Sequence, residues 1–424
     1  MWLRLAALAV FAAVPCASAQ TPPPAGPLTL DDAIARVANT HPDLRLVDGQ
    51  RAVLQAQAAS AALMPPLRLG VELENAFGSG QARTLDQAEL TVTLASVLER
   101  GGKLDARRAL AQANIDALTP QREITRLDLL AEVARRYLDI AIATRQRAIA
   151  LDDVGQRQRT VAAARQRLAA GASPESVLLT AQAALAQAEL DRDRADEVAR
   201  AARLHLAALW NARDPGFGTV TGDPMALPAL VDFDALADWL ERTPEVAQLA
   251  GQTRVLEAQL RLAQAQRRAD IDWQVGVRQL REGNDTALVG GFSLPLGSAR
   301  RAGPELQAAQ AQLAMSSVQR ESLQLQLYST LAQAHGRYVT ARLEVTRMAR
   351  DVLPPLARAE AAAERAWRAG AISYMEWAQL QAQRIQARQR QLDAAAQAQS
   401  ALIELQRLTG QASVAVDTSK DSTP

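Results

Sequence analysis

Polar and apolar residues alternate strictly in two places along this chain. Leu67, Leu69, Val71 and Leu73 alternate with Arg68, Gly70, Glu72 and Glu74, and then Leu90, Val92 and Leu94 alternate with Glu89, Thr91 and Thr93. Roughly two hundred residues later the pattern returns, with Ile271, Trp273, Val275 and Val277 against Asp272, Gln274 and Arg278, then Leu288, Phe292 and Leu294 against Val289, Gly291 and Ser293. A period of two puts one kind of residue on each face of a strand, so two strand hairpins are predicted, at about 67–96 and about 271–296. Strands of ~9 to 11 residues cross a bilayer core when tilted, and apolar-out, polar-in alternation marks membrane barrels; a half-buried soluble sheet fits the same pattern. Two hairpins supply four strands, whereas the smallest bacterial membrane barrels use about eight. An open edge in lipid leaves backbone groups unpaired at several kcal/mol each, so a membrane reading requires several copies of the chain; three would bring twelve strands.

Elsewhere the period is that of a helix. Leu130, Val133, Tyr137 and Ala141, and Leu327, Leu331, Ala334, Tyr338 and Ala341, recur at three- and four-residue steps inside two equally long helical runs, about 104–169 and about 304–369. At about 1.5 Å per residue each would reach about 100 Å if unbroken. Pro354-Pro355 is predicted to kink the second run. The first run stops at Gly171 in LAAGASPESVLL and the second at Gly370 in WRAGAISYMEWA, and a second long helix then returns to Asn211 or Gly410. Glycine is helix-stop chemistry, and Ser173-Pro174 is helix-start chemistry. Earlier helices open at His41-Pro42-Asp43 and Thr243-Pro244-Glu245. The chain therefore divides into tandem repeats at 30–211 and 231–410. Between them lies a connector, 212–230, which holds Pro215, Gly216, Gly222, Pro224 and Pro228. The segment 20–29 and the tail 411–424 are expected to be loose.

Composition supports this picture: 48% hydrophobic residues but only 4% aromatic suits long close-packed helices better than a large globular core. The formal charge of +1, with Lys103 and Lys420 as the only lysines, leaves no basic patch for nucleic acid. Arg4, the apolar run Leu5–Val14 and Ala17-Ser18-Ala19 read as a signal peptide over 1–19. Lipidation at Cys16, the only cysteine, is the competing reading, and Pro15 fits it poorly. No later segment offers the ~18 uninterrupted apolar residues of a spanning helix. His41, His205 and His335 are isolated, and each is explained by capping or packing. Asp191, Asp193, Asp196 and Glu197, interleaved with Arg192, Arg194 and Arg200, read as a salt-bridged helix face. No nucleophile–base pair, phosphate loop, dinucleotide site or metal cluster is visible, so neither an enzyme nor a cofactor is expected.

A signal peptide, two repeats of helix, strand hairpin and long helical hairpin, and glycines at the hairpin tips resemble the outer membrane factors of the TolC type over nearly the whole mature chain. Within that family, Glu72, Glu74, Asn75, Glu99, Gly101, Gly102 and Lys103 resemble the CzcC-type pattern of Glu-x-Glu-Asn followed by a Glu-x-Gly-Gly-Lys stretch. Val97-Leu98 departs from its usual Pro-Ile, Leu104 from its usual Arg, and Gly297-Ser298-Ala299-Arg300-Arg301 from its second-repeat motif.

The resemblance implies an α+β membrane protein: a homotrimer with a twelve-stranded barrel in the outer-membrane lipid of a Gram-negative bacterium, continued by a periplasmic α-helical coiled-coil tunnel. Its partners would be a periplasmic membrane-fusion adaptor and an inner-membrane RND transporter. Its role would be the exit duct of a tripartite pump for divalent heavy metals of the cobalt, zinc and cadmium type, with no covalent chemistry. Multidrug efflux or type I secretion by the same duct, or a periplasmic coiled-coil adaptor, are the alternatives. The resemblance also assigns adaptor contacts to Gly171, Ala172, Ser173, Gly370, Ala371 and Ser373, and a periplasmic gate to Glu376 with Tyr374 and Trp377, flanked by Trp367. Glu72, Glu74, Glu89, Asp272 and Arg278 are expected to face the barrel lumen and to tune ion passage without tight binding.

Overall fold

The computed structural model describes residues 26–80, 83, 85, 87–411 and 414. The expected signal peptide, Cys16 and most of the C-terminal tail lie outside the described residues. In the first half, α1 (Leu30–Thr40) and α2 (Pro42–Ala61) lead into β1 (Arg68–Glu74) and β2 (Glu89–Leu98), then α3 (Lys103–Asp116), α4 (Leu118–Ala169) and α5 (Glu175–Ala207). In the second, α6 (Phe233–Trp239) and α7 (Pro244–Gln266) lead into β3 (Ile271–Leu280) and β4 (Asp285–Ser293), then α8 (Ser298–Arg301), α9 (Gly303–Arg347), α10 (Leu353–Arg368) and α11 (Tyr374–Thr409). The elements of the two halves follow one another in the same order.

The four strands form one antiparallel sheet in the order β1-β2-β3-β4, so the two hairpins join through β2 and β3 and leave β1 and β4 as edges. The register places Leu69, Val71 and Leu73 opposite Leu94, Val92 and Leu90, and Val92 opposite Val277, which faces Leu288. One face is thus a continuous apolar surface, and it is uncovered: Leu69 is 73% exposed and Phe292 84%. The opposite face carries the charged residues. Gly70 and Gly276 flank Thr93 on adjacent strands, and a Cβ added at Gly70 or Gly276 would come within 2.6 Å of the Thr93 hydroxyl or 2.4 Å of the Val92 carbonyl. These repeated glycines are therefore places of close strand approach.

Both long helical runs are interrupted. The first, expected as continuous over 104–169, breaks at Ala117. Pro120 explains this: it cannot donate a backbone hydrogen bond, and its ring opposes the carbonyl of Asp116, where α3 ends. Gly251 of α7 lies against Ala117, where a Cβ would stand 3.5 Å from the Ala117 backbone. The second run passes through a π-helical turn, Met348–Val352, immediately before Pro354 and Pro355, as their missing donors require. Gln391 of α11 donates a side-chain hydrogen bond to the Val345 carbonyl one turn before that defect.

Two apolar cores hold the ends of the long helices nearest the connector. One joins α1, α4 and the end of α5 around Val133, Tyr137, Ile140 and Leu206; the other joins α6, α9 and α11 around Leu331, Ala334, Tyr338 and Leu405. The tyrosines that mark the repeat have matching tasks. The Tyr137 hydroxyl lies 2.8 and 2.7 Å from the Leu28 and Thr221 carbonyls and accepts the Thr221 N–H, while Tyr338 donates to the Pro228 carbonyl at 2.5 Å. Each therefore pins the connector to its own helical hairpin.

Candidate functional site: the hairpin tips and the charged face of the sheet

At the tips, both helical hairpins stop in the same way. Gly171 and Gly370 take φ of 69° and 78°, a left-handed conformation that glycine adopts without penalty. The Gly171 N–H reaches the Leu168 carbonyl at 2.9 Å and the Ala172 N–H the Arg167 carbonyl at 2.8 Å. Gly370 to Trp367 and Ala371 to Ala366 repeat those bonds at 2.9 and 2.8 Å. This is the Schellman closure, which satisfies carbonyls that a helix end otherwise leaves bare.

They restart differently. The N-cap of α5 is Pro174, so Ser173 stands one residue outside the helix and makes no capping bond. At the matching position of the second tip stands Ser373, whose hydroxyl accepts the Glu376 N–H at 3.3 Å while the Glu376 carboxylate accepts the Ser373 N–H at 2.8 Å. This is a capping box. The Ser373 backbone and hydroxyl bonds hold the Glu376 carboxyl below the usual carboxylate range. Ser-x-x-Glu is a helix-start signature present in the sequence itself.

Tyr374 and Trp377, expected at the gate, are 5% and 3% exposed within the single protomer, and Trp367 is 3% exposed. Their rings pack together, Trp367 stacked on Trp377 at 4.7 Å between centroids, against Val161, Ala164 and Ala181 of the first hairpin. Side chains buried in one protomer do not line a lumen. Within the protomer this pair packs the two hairpins together.

Arg167 completes the tip, and nothing in the local sequence identified it. From the end of α4 its guanidinium donates to the Trp367 carbonyl at 2.6 Å, the Arg368 carbonyl at 3.1 Å and the Ala172 carbonyl at 3.2 Å, and lies over the Trp367 ring at 5.3 Å. One cation therefore binds the C-terminal carbonyls of α10 and the turn of its own hairpin, where helix dipoles favour positive charge. Above it runs a buried polar layer. Arg157 pairs with Asp153 at 3.1 Å and donates to Gln381 at 3.3 Å, and Gln381 donates to Thr160 at 3.3 Å. Glu360 pairs with Arg384 at 2.8 Å, yet burial pushes its carboxyl above the usual range.

On the charged face of the sheet, the structure brings three of the five expected residues together. Arg278 reaches Glu89 at 2.8 Å, Glu74 at 3.2 Å and the Thr91 hydroxyl at 3.0 Å. Glu72 and Asp272 are exposed and have no ion-pair partner among the described residues. The Glu-x-Gly-Gly-Lys stretch serves the joint below the sheet. Glu99 accepts from Arg107 at 2.9 Å, Arg107 also donates to the Ala61 and Leu63 carbonyls at the end of α2, and Lys103 pairs with Asp270 at the entry to β3 at 2.7 Å. Gly101 (φ 80°) sits where a Cβ would meet the Ala265 carbonyl at 2.9 Å. These residues lock the sheet to the helices of both repeats.

His41 caps α2 by accepting the Asp43 N–H, and the acidic run on α5 pairs with its own arginines and with Arg147. Among the described residues no three His, Cys, Asp or Glu side chains converge, and no helix is long and apolar enough to cross a membrane.

The family model described as "Outer membrane efflux protein" matches residues 34–212, the first repeat. The cobalt-zinc-cadmium resistance protein CzcC of Cupriavidus metallidurans is 26% identical over 91% of each chain. The nickel and cobalt resistance protein CnrC of the same organism is 26% identical over 68% of each. A crystal structure of CusC, studied for its folding and transmembrane channel formation, superposes with a TM-score of 0.75 at 18% identity, covering 90% of this chain and 92% of that one. The architecture of four strands continued by long helical hairpins is thus that of solved outer-membrane channels, and the first repeat of this chain matches the outer membrane efflux protein family model.

Proposed function

We propose that the chain is the outer-membrane exit duct of a tripartite efflux pump, and that its cargo is a divalent heavy-metal cation. The observation that carries the duct is the open sheet: a four-stranded surface with one uncovered apolar face, one charged face and two free edges. Lipid covers such a face, and only closure satisfies such edges in lipid. Three copies pairing the β4 edge of one with the β1 edge of the next make a twelve-stranded barrel whose charged faces line the lumen. The long hairpins then form the periplasmic tunnel, and their tips meet an adaptor that links the duct to an inner-membrane transporter. The duct performs no covalent step.

The metal cargo is supported by CzcC and CnrC, whose names state cobalt, zinc, cadmium and nickel resistance. Selection need not lie in the duct. Arg278 offsets one of the two charges of Glu74 and Glu89, while Glu72 and Asp272 stay unpaired, as weak, hydrated attractors that a cation passes. Planar-bilayer recordings of the purified protein test this: a stable, cation-preferring conductance is expected, Glu72→Gln lowering the preference more than Glu74→Gln. Absence of any channel would overturn the duct, and an equal response of the two variants would overturn the lumen assignment.

A further inference from the structure

At the foot of the sheet, where strands give way to helices, arginines gather with nothing to bind. The Arg100 N–H donates to the Asp270 carboxylate at 3.0 Å, a Cβ at Gly101 would meet the Arg268 side chain at 3.0 Å, and the Arg267 carbonyl accepts the Ser298 hydroxyl at 3.1 Å. These contacts draw the end of β2, the entry to β3 and α8 into one place, and with them Arg100, Arg267, Arg268, Arg300 and Arg301. All five are exposed, and none has an ion-pair partner among the described residues. The neighbouring acids are engaged by other groups: Glu99 by Arg107, Asp270 by Lys103 and Asp105 by Arg108 at 3.9 Å, while Glu305 faces the Gln266 amide. The dipole of α7 accounts for Arg267 and Arg268, just beyond its last turn. It does not account for Arg100, Arg300 or Arg301.

What adjoins them is the second observation. The uncovered apolar face of the sheet ends at Leu98, Leu294 and Leu296, the last 91% exposed, and Trp273 stands two residues from the start of β3, paired with Phe292 on β4. Tryptophan near the end of a lipid-facing strand marks the level of the headgroups. We infer that this basic collar binds the phosphodiesters of anionic phospholipids in the periplasm-facing leaflet of the outer membrane; the inference rests on the duct reading. The apolar face meets the acyl chains. The arginine stems lie along its edge, and their planar heads take the phosphate oxygens as paired N–H···O bonds. A zwitterionic headgroup offers the same phosphate with a cation beside it, so net charge decides which lipid is held. The collar also fixes the depth of the sheet, because a shift in either direction parts arginine from phosphate or leucine from hydrocarbon.

The test uses the full-length protein reconstituted in phosphatidylcholine vesicles that carry a trace of spin-labelled phosphatidylglycerol or, separately, of spin-labelled phosphatidylcholine. Electron spin resonance reads the fraction of each label held at the protein. Phosphatidylglycerol is expected to be held roughly threefold or more over phosphatidylcholine, with the excess shrinking as NaCl rises. Arg100→Ser/Arg300→Ser/Arg301→Ser should remove most of that excess, and Arg281→Ser, at the opposite end of the sheet, should leave it unchanged. Equal retention of the two lipids by the unmodified protein would overturn the inference whether or not the triple variant folds, and so would an equal loss in Arg281→Ser. Inorganic phosphate added at constant ionic strength should leave the labelled phosphatidylglycerol in place; its displacement would show a site for free anions and would also overturn the inference. Bilayer conductance of the same preparation separates the two failures: a channel without a preference for phosphatidylglycerol refutes the collar alone, whereas no channel refutes the duct.

Discussion

The two hairpin tips close their first helices identically and secure their second helices by different means. Gly171 and Gly370 sit in the same Schellman closure with the same pair of bonds. Beyond that the first tip has Pro174 as its N-cap and no side-chain cap, whereas the second has the Ser373–Glu376 box, the Trp367–Tyr374–Trp377 cluster and, on the same helical run before Gly370, a π-turn at Met348–Val352. Arg167 ties them together, and its counterpart in the second repeat is Ala366. A duplicated unit has thus kept its stop and divided the remaining work: the second tip is internally braced, and the first supplies the residue that clamps the pair.

Removing the clamp should have the largest effect. Arg167→Ala deletes three charge-assisted contacts at about 1.5–3 kcal/mol for a hydrogen bond to a charged group, so amide exchange around Gly370 and Ala371 should accelerate by roughly tenfold or more. Exchange unchanged in the second tip would show that each hairpin is self-sufficient. Gly171→Ala and Gly370→Ala should each cost about 1–2 kcal/mol of local stability, because both impose a left-handed backbone on a Cβ. Equal costs are expected, since neither glycine is crowded: no atom lies within 4 Å of a Cβ at Gly171, and only the Arg167 guanidinium, at 3.8 Å, at Gly370. Ser373→Ala should cost about 1 kcal/mol by amide exchange, and Ser173→Ala should be close to neutral, because only the former caps a helix.

The smallest effect concerns pH. Glu360 has its pKa raised by burial, so its share of stability is full below the usual carboxylate range and is lost as pH rises through the folded value. Glu376 has its pKa lowered by Ser373, so its contribution is present above the unfolded value and is lost only as pH falls through the depressed one. Titration followed by carboxyl-carbon NMR should therefore show Glu376 protonating last and Glu360 well before it as acid is added. The reverse order would contradict the capping geometry.

Much of this was legible in the chain because its signals are periodic. The strand alternation around Val71 and Val275 fixed two hairpins, and Gly171 and Gly370 fixed two helix stops, since both rest on local backbone rules. Pro354-Pro355 announces the second interruption in the same way, and Pro120 carries an equal signal near Ala117. What escaped the sequence is long-range. Arg167 meets Trp367, and Arg278 meets Glu74 and Glu89, across some two hundred residues, and no periodicity reports such pairs. Tyr374 and Trp377 illustrate the same limit, because an aromatic residue beside a turn looks alike whether it lines a pore or packs behind one.

The central claim is an outer-membrane duct for metal efflux, and the most direct test is growth inhibition by Co²⁺, Zn²⁺, Cd²⁺, Cu²⁺ and Ag⁺ beside a drug and bile-salt panel, in a deletion strain with and without the gene restored. The account predicts heightened sensitivity to divalent metals, reversed by restoration, with drug tolerance unchanged. Drug or bile-salt sensitivity with unaltered metal tolerance would contradict the metal cargo while keeping the duct.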